Sequence, residues 1–455
     1  MSNHAEESEL FCPGERYSIS REVHLGRLAS FYSKCRTCVH RDNHHPLTSR
    51  TTGLLSAVHR RATKSAGFDR EGWSGIAINE VDTAKVRHLA AAFAAVLQDE
   101  KRANHPLAIV VAGDSQPRYL EWLAAAHEGL RYAAAKVIDI GPATAACLAL
   151  AVLRSEADGG LLVAGDSDRR QRVRLRFWGS AGFAWSAGGG LDKLRARTAS
   201  RIDRPRRHYG PSERYAAQAD YLDRLRPVVE HSNPLRVVLA SSCGPSRRWL
   251  IQLAAKASIE VIDFRGQRPS AGRGESLPSG GRTPPQLVPS HVVPMIDALR
   301  AQLLAAGADV GAYIDEQGEV LHLLDERGRF VPPSMLVLAL IASRGSHPIA
   351  ARVVLENDTP RRLADAMQRV GTRTFYRDAS RESMSRAVWR ENTLYGSGPS
   401  GRIWFRQPHG AADALRGLLA ATELVRQMQR PLSAVIDRAL AMGGQGGYDH
   451  GPVDG

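Results

Sequence analysis

From Gly67 onward, short apolar stretches of strand length alternate with longer stretches whose apolar residues recur at helical spacing, and the alternation restarts twice. In the first round, 83–98, 120–135 and 144–155 carry the helical period, while 107–112, 136–140 and 160–164 are short buried strands. A second round has helices at 215–230 and 246–257, with strands at 235–240 and 260–264. A Gly-, Pro-, Ser- and Arg-rich stretch, 265–289, reads as a linker. The third round brings a helix at 293–306, strands at 311–314 and 320–324, a helix at 334–343, a strand at 351–355 and a closing helix at 411–429. Such alternation requires α/β layers, with mixed sheets between helices. A chain of 455 residues divides into about three such domains. The expected boundaries are 67–205, 206–290 with its linker, and 291–442 with the closing helix. A small N-terminal module, 1–66, precedes them and a Gly-rich flexible tail, 443–455, follows.

Hydrophobic residues make up 43% of the chain and charged residues 24%, as in soluble globular proteins. The first thirty residues carry acids, Pro13 and Gly14 where a secretory signal needs an apolar core, so a cytoplasmic location is expected. The run 335–342 is far shorter than the ~20 apolar residues of a membrane span. The net charge of +14 is carried mostly by arginine. No basic stripe is interleaved with aromatic residues, so no nucleic-acid partner is expected, only solvated basic faces able to meet anionic metabolites.

Several motifs stand in order along this framework. Gly72-Trp73-Ser74-Gly75-Ile76-Ala77 precedes the first helix, and Ile109-Val110-Val111-Ala112-Gly113-Asp114-Ser115-Gln116-Pro117 ends the first strand. The stretch 157–177, ADGGLLVAGDSDRRQRVRLRF, is an apolar strand, a polar turn and a return strand. In the third unit come Ala308-Asp309-Val310-Gly311-Ala312 and then Tyr395-Gly396-Ser397-Gly398-Pro399-Ser400-Gly401-Arg402-Ile403-Trp404-Phe405. Taken together, these segments resemble the α-D-phosphohexomutases, the phosphomannomutase/phosphoglucomutase superfamily, over residues 67–440. The resemblance implies three consecutive α/β domains around a cleft, a sugar phosphate as ligand, and a phosphoserine that shuttles a phosphoryl group.

The departures from that pattern fall on the positions of the chemistry. The family's nucleophilic serine aligns with Asp166, its histidine with Ser167 and its lysine with Arg176. The loop that holds magnesium aligns with 315–320, where Asp315 survives and the other two aspartates become Gln317 and Glu319. Magnesium favours hard carboxylate oxygens in near-octahedral array, so its retention is doubtful. In the sugar-binding loop Ser400 and Gly401 remain, the histidine becomes Arg402 and the glutamate becomes Gly398. A counterpart of the family's Arg-x-Ser-Gly-Thr-Glu-Pro loop, carried by a fourth domain, is not found in the sequence. Three readings of the 166–168 turn stay open: a solvated turn, a fixed negative charge beside Asp315 and Glu319, or surviving nucleophilic chemistry through Asp166 or Ser167. The arginines at 170, 172, 174 and 176 share one face of a strand, either an anion-binding face or a solvated edge. Positions 166, 167, 317, 319 and 320 are all expected on cleft loops that tolerate substitution.

The N-terminal module contains Cys12, Cys35, Cys38 and His40, with His24, His44 and His45 as further candidates. A Cys-x-x-Cys knuckle with a third cysteine and a histidine suits tetrahedral zinc. Free thiols, or an iron–sulfur or redox role, are the alternatives. The module suggests a surface for a protein partner. For the whole chain the leading reading is a catalytically degenerate phosphohexomutase with a sugar-phosphate-binding, regulatory or scaffolding role. An active mutase using Asp166 and a metal-stabilised adaptor are the competing ones.

Overall fold

The structure, a computed structural model, describes residues 10–11, 17–30, 32, 35, 38–41, 43, 45–49, 51–52, 67–77, 80–101, 106–116, 119–165, 172–199, 208–226, 234–264, 288–289, 291–344, 352–406 and 410–443. Strands β1 (Gly67–Phe68), β2 (Trp73–Ile76), β3 (Ala108–Gly113), β4 (Lys136–Pro142), β5 (Gly159–Gly165), β6 (Arg172–Trp178) and β7 (Ser212–Arg214) form one sheet. Its order is β1-β2-β6-β5-β3-β4-β7. β5 pairs parallel with β3 and antiparallel with β6, so the sheet is mixed, as expected. Every residue of β5 is buried because helices cover both its faces. Leu97 and Phe93 of the helix Thr83–Glu100 lie over Gly159, and Val152 and Leu148 of the helix Ala145–Arg154 lie over Gly160. A Cβ at Gly159 would come within 2.7 Å of Leu97, so glycine here sets how closely the layers approach. Both helices begin on side-chain caps: Asp82 accepts from the Lys85 amide at 2.6 Å, and Thr144 from the Cys147 amide at 3.2 Å.

The second sheet corrects the expected domain boundary. It contains β8 (Leu235–Ser241), β9 (Ile259–Asp263), β10 (Val310–Ile314), β11 (Leu321–Asp325) and β12 (Phe330–Val331), in the order β12-β11-β10-β8-β9. β10 pairs parallel with β8 from Val310↔Val237 to Ile314↔Ser241, so a division at 290/291 would cut through one sheet. The linker 265–289 interrupts the chain between two strands of that sheet rather than separating domains. A third sheet, β14-β13-β15-β16, comprises β13 (Arg352–Glu356), β14 (Arg373–Arg377), β15 (Tyr395–Ser397) and β16 (Ile403–Phe405). The apolar run near 335 is the helix Pro333–Ala342, buried on all sides against the helices Leu432–Met442, Arg361–Arg369 and Ala414–Met428. No helix among the described residues is long and apolar enough to cross a membrane.

β6 is not an edge strand. It lies between β2 and β5, with Val173, Leu175 and Phe177 in the core on one face. Arg176, on the other face, is only 2% exposed.

Candidate active site

The ends of the three sheets converge on one cluster of charged side chains. The short loop between β1 and β2 supplies Asp69 and Glu71, and β6 supplies Arg176. Glycine at 72 lets this loop lie against β6, since a Cβ there would meet the Leu175 carbonyl and the Arg176 side chain. The β10–β11 turn supplies Asp315, Gln317 and Glu319 and reverses through Gly318 at φ +72°. From the third sheet's side come Arg402, in the turn before β16, and Arg381, the first residue of the helix Arg381–Arg390.

These groups are tied to one another in a chain of ion pairs. Arg176 donates to Asp69 at 2.9 Å and stands 4.0 Å from Glu71. Arg402 donates through Nη1 and Nη2 to both oxygens of Glu71, at 2.8 and 2.7 Å, a fork-on-fork geometry that matches two donors to two acceptors. Its Nε lies 3.6 Å from Glu319 Oε2. Glu319 Oε1 accepts from Arg381 Nε and Nη2 at 3.0 and 2.6 Å. The Arg381 guanidinium also lies over the Trp178 ring, 4.5 Å from its centroid. A neighbouring reciprocal pair strengthens the same junction: the Ser186 amide donates to Glu382 at 3.0 Å and the Glu382 amide to Ser186 at 3.1 Å.

The acidic turn is internally satisfied. One Asp315 oxygen accepts the amides of Glu319 and Val320 at 2.7 and 2.9 Å. The turn is bound to the Ser400–Arg402 loop through the Leu321 amide, which donates to the Gly401 carbonyl at 2.9 Å. Gly401, at φ +84°, packs against Val320 and His322. The Ser400 amide donates to Glu356 at 2.9 Å, and Glu356 fills the space into which any side chain on residue 398 would project. The glutamate missing at 398 therefore has no room, because a carboxylate from β13 already occupies the place. Burial pushes the Glu356 carboxyl up from the usual carboxylate range.

Magnesium does not fit this set. Gln317 is neutral and only 6% exposed, one Asp315 oxygen is taken by two backbone amides, and Glu319 is held by two guanidinium groups. Among the described residues no group of three or more His, Cys, Asp or Glu side chains is placed to hold a metal. The expectation that 317 and 319 lie on exposed cleft loops is thereby corrected: both are buried. Asp166, Ser167 and the rest of 166–171 fall outside the described residues, so only the strand ends on either side, Gly165 and Arg172, are placed. Asp69, Glu71, Arg381 and Glu356 escaped the sequence reading altogether.

The charges have consequences for pH. Burial would raise the Glu71 carboxyl, but Arg402, Arg176 and Arg381 outweigh it and hold the group down to about 2. Burial and then the Glu319 charge push Asp315 up to about 6, against the pull of the Val320 and Glu319 amides. For Glu71, the folded value lies below its ordinary 4.5, so its stabilisation is present above that pH and is lost on acidification toward 2. For Asp315 the sign is opposite: its contribution is complete below 3.8 and is lost as pH rises through about 6. Urea midpoints measured from pH 4 to 7 should therefore fall less in Asp315→Asn than in the parent. Parallel curves would contradict the raised value.

The N-terminal module is described only in part. Ser20 caps the helix Arg21–Ala29, and buried His24 donates through Nε2 to the Asn43 carbonyl at 3.1 Å when that nitrogen carries the proton. Cys35 and Cys38 are buried and form no disulfide, while Cys12 lies outside the described residues. Cys35, Cys38 and His40 are not brought together as a three-ligand group.

Comparison with known proteins agrees with this architecture. Residues 65–188 match the family described as phosphoglucomutase/phosphomannomutase, alpha/beta/alpha domain I. A probable phosphoglucosamine mutase from Methanothermobacter thermautotrophicus is 26% identical over 223 residues, a match that spans 48% of this chain and 44% of that protein. The phosphomannomutase of Escherichia coli is 22% identical over 353 residues, 75% of each chain. Among solved structures, a phosphoglucomutase/phosphomannomutase family protein from Burkholderia thailandensis superposes with a TM-score of 0.67 at 18% identity, covering 80% of this chain and 78% of that one. A putative phosphomannomutase from Thermus thermophilus gives 0.66 at 16% identity, covering 83% and 84%. The chain thus carries a phosphoglucomutase/phosphomannomutase-type first domain over residues 65–188, is similar in sequence to such mutases along as much as three quarters of its length, and shares the fold of that family's solved structures.

Proposed function

We propose that this protein is a catalytically degenerate phosphohexomutase, a regulatory or scaffolding protein whose ligand class is a hexose phosphate. The observation that carries the reading is the commitment of Glu319 to Arg381 and Arg402, and of Arg402 to Glu71. Phosphoryl transfer needs an in-line nucleophile, a cation to neutralise developing charge, and donors free to meet the equatorial oxygens. Here the nucleophile's position carries Asp166, and the acids and arginines of the cleft neutralise one another. The ligand class is supported by the names of the relatives, which are mutases of phosphorylated glucosamine and mannose. A guanidinium fork that now grips a carboxylate suits a phosphate equally well.

The test is a mutase assay on glucose, glucosamine and mannose phosphates with magnesium and a bisphosphate activator, run beside thermal melts with the same sugars. No turnover above background is expected, together with a melting point that rises with ligand, since a compound binding only the folded state stabilises it. Robust turnover that disappears in Asp166→Ala would sink the proposal in favour of an active mutase.

A further inference from the structure

We propose that Arg381 is this chain's built-in substitute for a divalent cation: its guanidinium, carried on a helix of the third sheet's layer, neutralises Glu319 in the acidic turn of the second sheet. The proposal rests on the degenerate reading of the cleft and goes beyond it, because it says what replaced the metal and where the replacement comes from.

Three observations carry it. First, Arg381 meets the acidic turn as a cation ligand would, with two donors on one carboxylate oxygen at 3.0 and 2.6 Å. Second, the contact is sealed: Arg381 is 2% exposed and Glu319 4%, and Trp178 lies against the guanidinium. A charge so placed is retained only when an opposite charge accompanies it. Third, the cavity beside the pair, lined by Trp178, Glu319, Arg381, Ser385 and Trp404 among others, measures about 10 Å³. That is room for one water at most, whereas magnesium usually keeps several of its own.

A guanidinium differs from magnesium in ways that can be read out. It cannot be chelated, and it does not deprotonate at any accessible pH. It is also a fixed part of another layer, so the acidic loop and the helix Arg381–Arg390 are held together whatever ions the solution contains.

The experiment titrates the full chain with manganese alone, following the signal of the free ion by electron paramagnetic resonance. Thermal melts in EDTA and in excess magnesium accompany it. The parent is expected to leave manganese free and to melt at the same temperature in both buffers. Arg381→Met, which keeps the length of the side chain and removes its charge, should bind manganese at least about tenfold more tightly, because Glu319 then keeps only the more distant Arg402 and its Oε1 is open to the ion. Arg381→Gln serves the same purpose if the methionine variant does not fold. Tight manganese binding by the parent, abolished by Glu319→Gln, would overturn the inference. So would folded Arg381 variants with no gain in affinity. Should neither variant fold, the parent's own titration and melts still decide. The outcomes separate from those of the mutase assay: turnover in EDTA would defeat the degenerate reading and leave this inference standing. Manganese binding without turnover would do the reverse.

Discussion

Glu71→Leu will lower the stability of the protein by about 3–5 kcal/mol, the usual cost of removing one partner from a buried ion pair. The reason is the charge it leaves behind. Arg402 keeps a side chain only 13% exposed, and its second carboxylate, Glu319, is 3.6 Å from its Nε and already engaged by Arg381. Arg176 also loses the more distant of its two acids and keeps Asp69. The loss reaches across sheets, because Glu71 sits beside the first and Arg402 beside the third. The same pair replaced on both sides, as Glu71→Leu with Arg402→Met, should recover most of the loss, since apolar groups of similar volume often substitute for a buried pair without cost. Urea midpoints of the parent, the two single variants and the double variant form the cycle that measures the coupling. A Glu71→Leu stability within about 0.5 kcal/mol of the parent would mean that the fork is a surface contact rather than a buried one.

The legible part of this molecule was the part that depends on local pattern. β3, β4 and β5 announce themselves as apolar runs between helical periods, and β5 is buried along its length because both faces are covered. The pairing of β10 with β8 was not legible. A stretch rich in Gly and Pro lies between them in sequence and looks like a boundary, whereas register is settled only when strands meet. The solvated-edge reading of β6 fails because the strand is interior, and on its arginine face Arg176 is covered by carboxylates from the β1–β2 loop. Arg381 was the hardest to see. It opens a helix, where the macrodipole favours an acid rather than a base, and the sequence around it, Ser380-Arg381-Glu382-Ser383, reads as an ordinary exposed cap. Only the approach of Trp178 and Glu319 from other layers explains why a cation is tolerated there. Arg402 stood out in the sequence because the segment that resembles the family's sugar-binding loop keeps enough of its glycines to place it in that motif. Its partner Glu71 was not, although it immediately precedes the first motif.

Rebuilding the acidic turn toward the family pattern will fail while Arg381 remains. The triple variant Gln317→Asp, Glu319→Asp and Val320→Arg restores three aspartates and an arginine, and on exposed loops such changes cost under about 0.5 kcal/mol each. The turn is not exposed. Shortening Glu319 by one methylene withdraws its carboxylate from the Arg381 fork and from Arg402, leaving two poorly exposed guanidinium groups underpaired. A carboxylate at 317, buried and close in sequence to Asp315, adds a like charge beside a group whose ionisation is already suppressed by burial and Glu319. Arginine at 320 meets the tight packing of Val320 against Gly401, in the bridge that pairs 320 with Arg402. The expected result is a stability loss of about 3 kcal/mol or more, read from urea unfolding, with magnesium affinity no better than that of the parent. Adding Arg381→Met to the triple variant should restore part of the stability in the presence of magnesium and none of it in EDTA, because the removed cation is then replaced from solution. A triple variant as stable as the parent, or one that binds magnesium tightly with Arg381 in place, would show that the guanidinium and the acidic turn are not competing for the same charge.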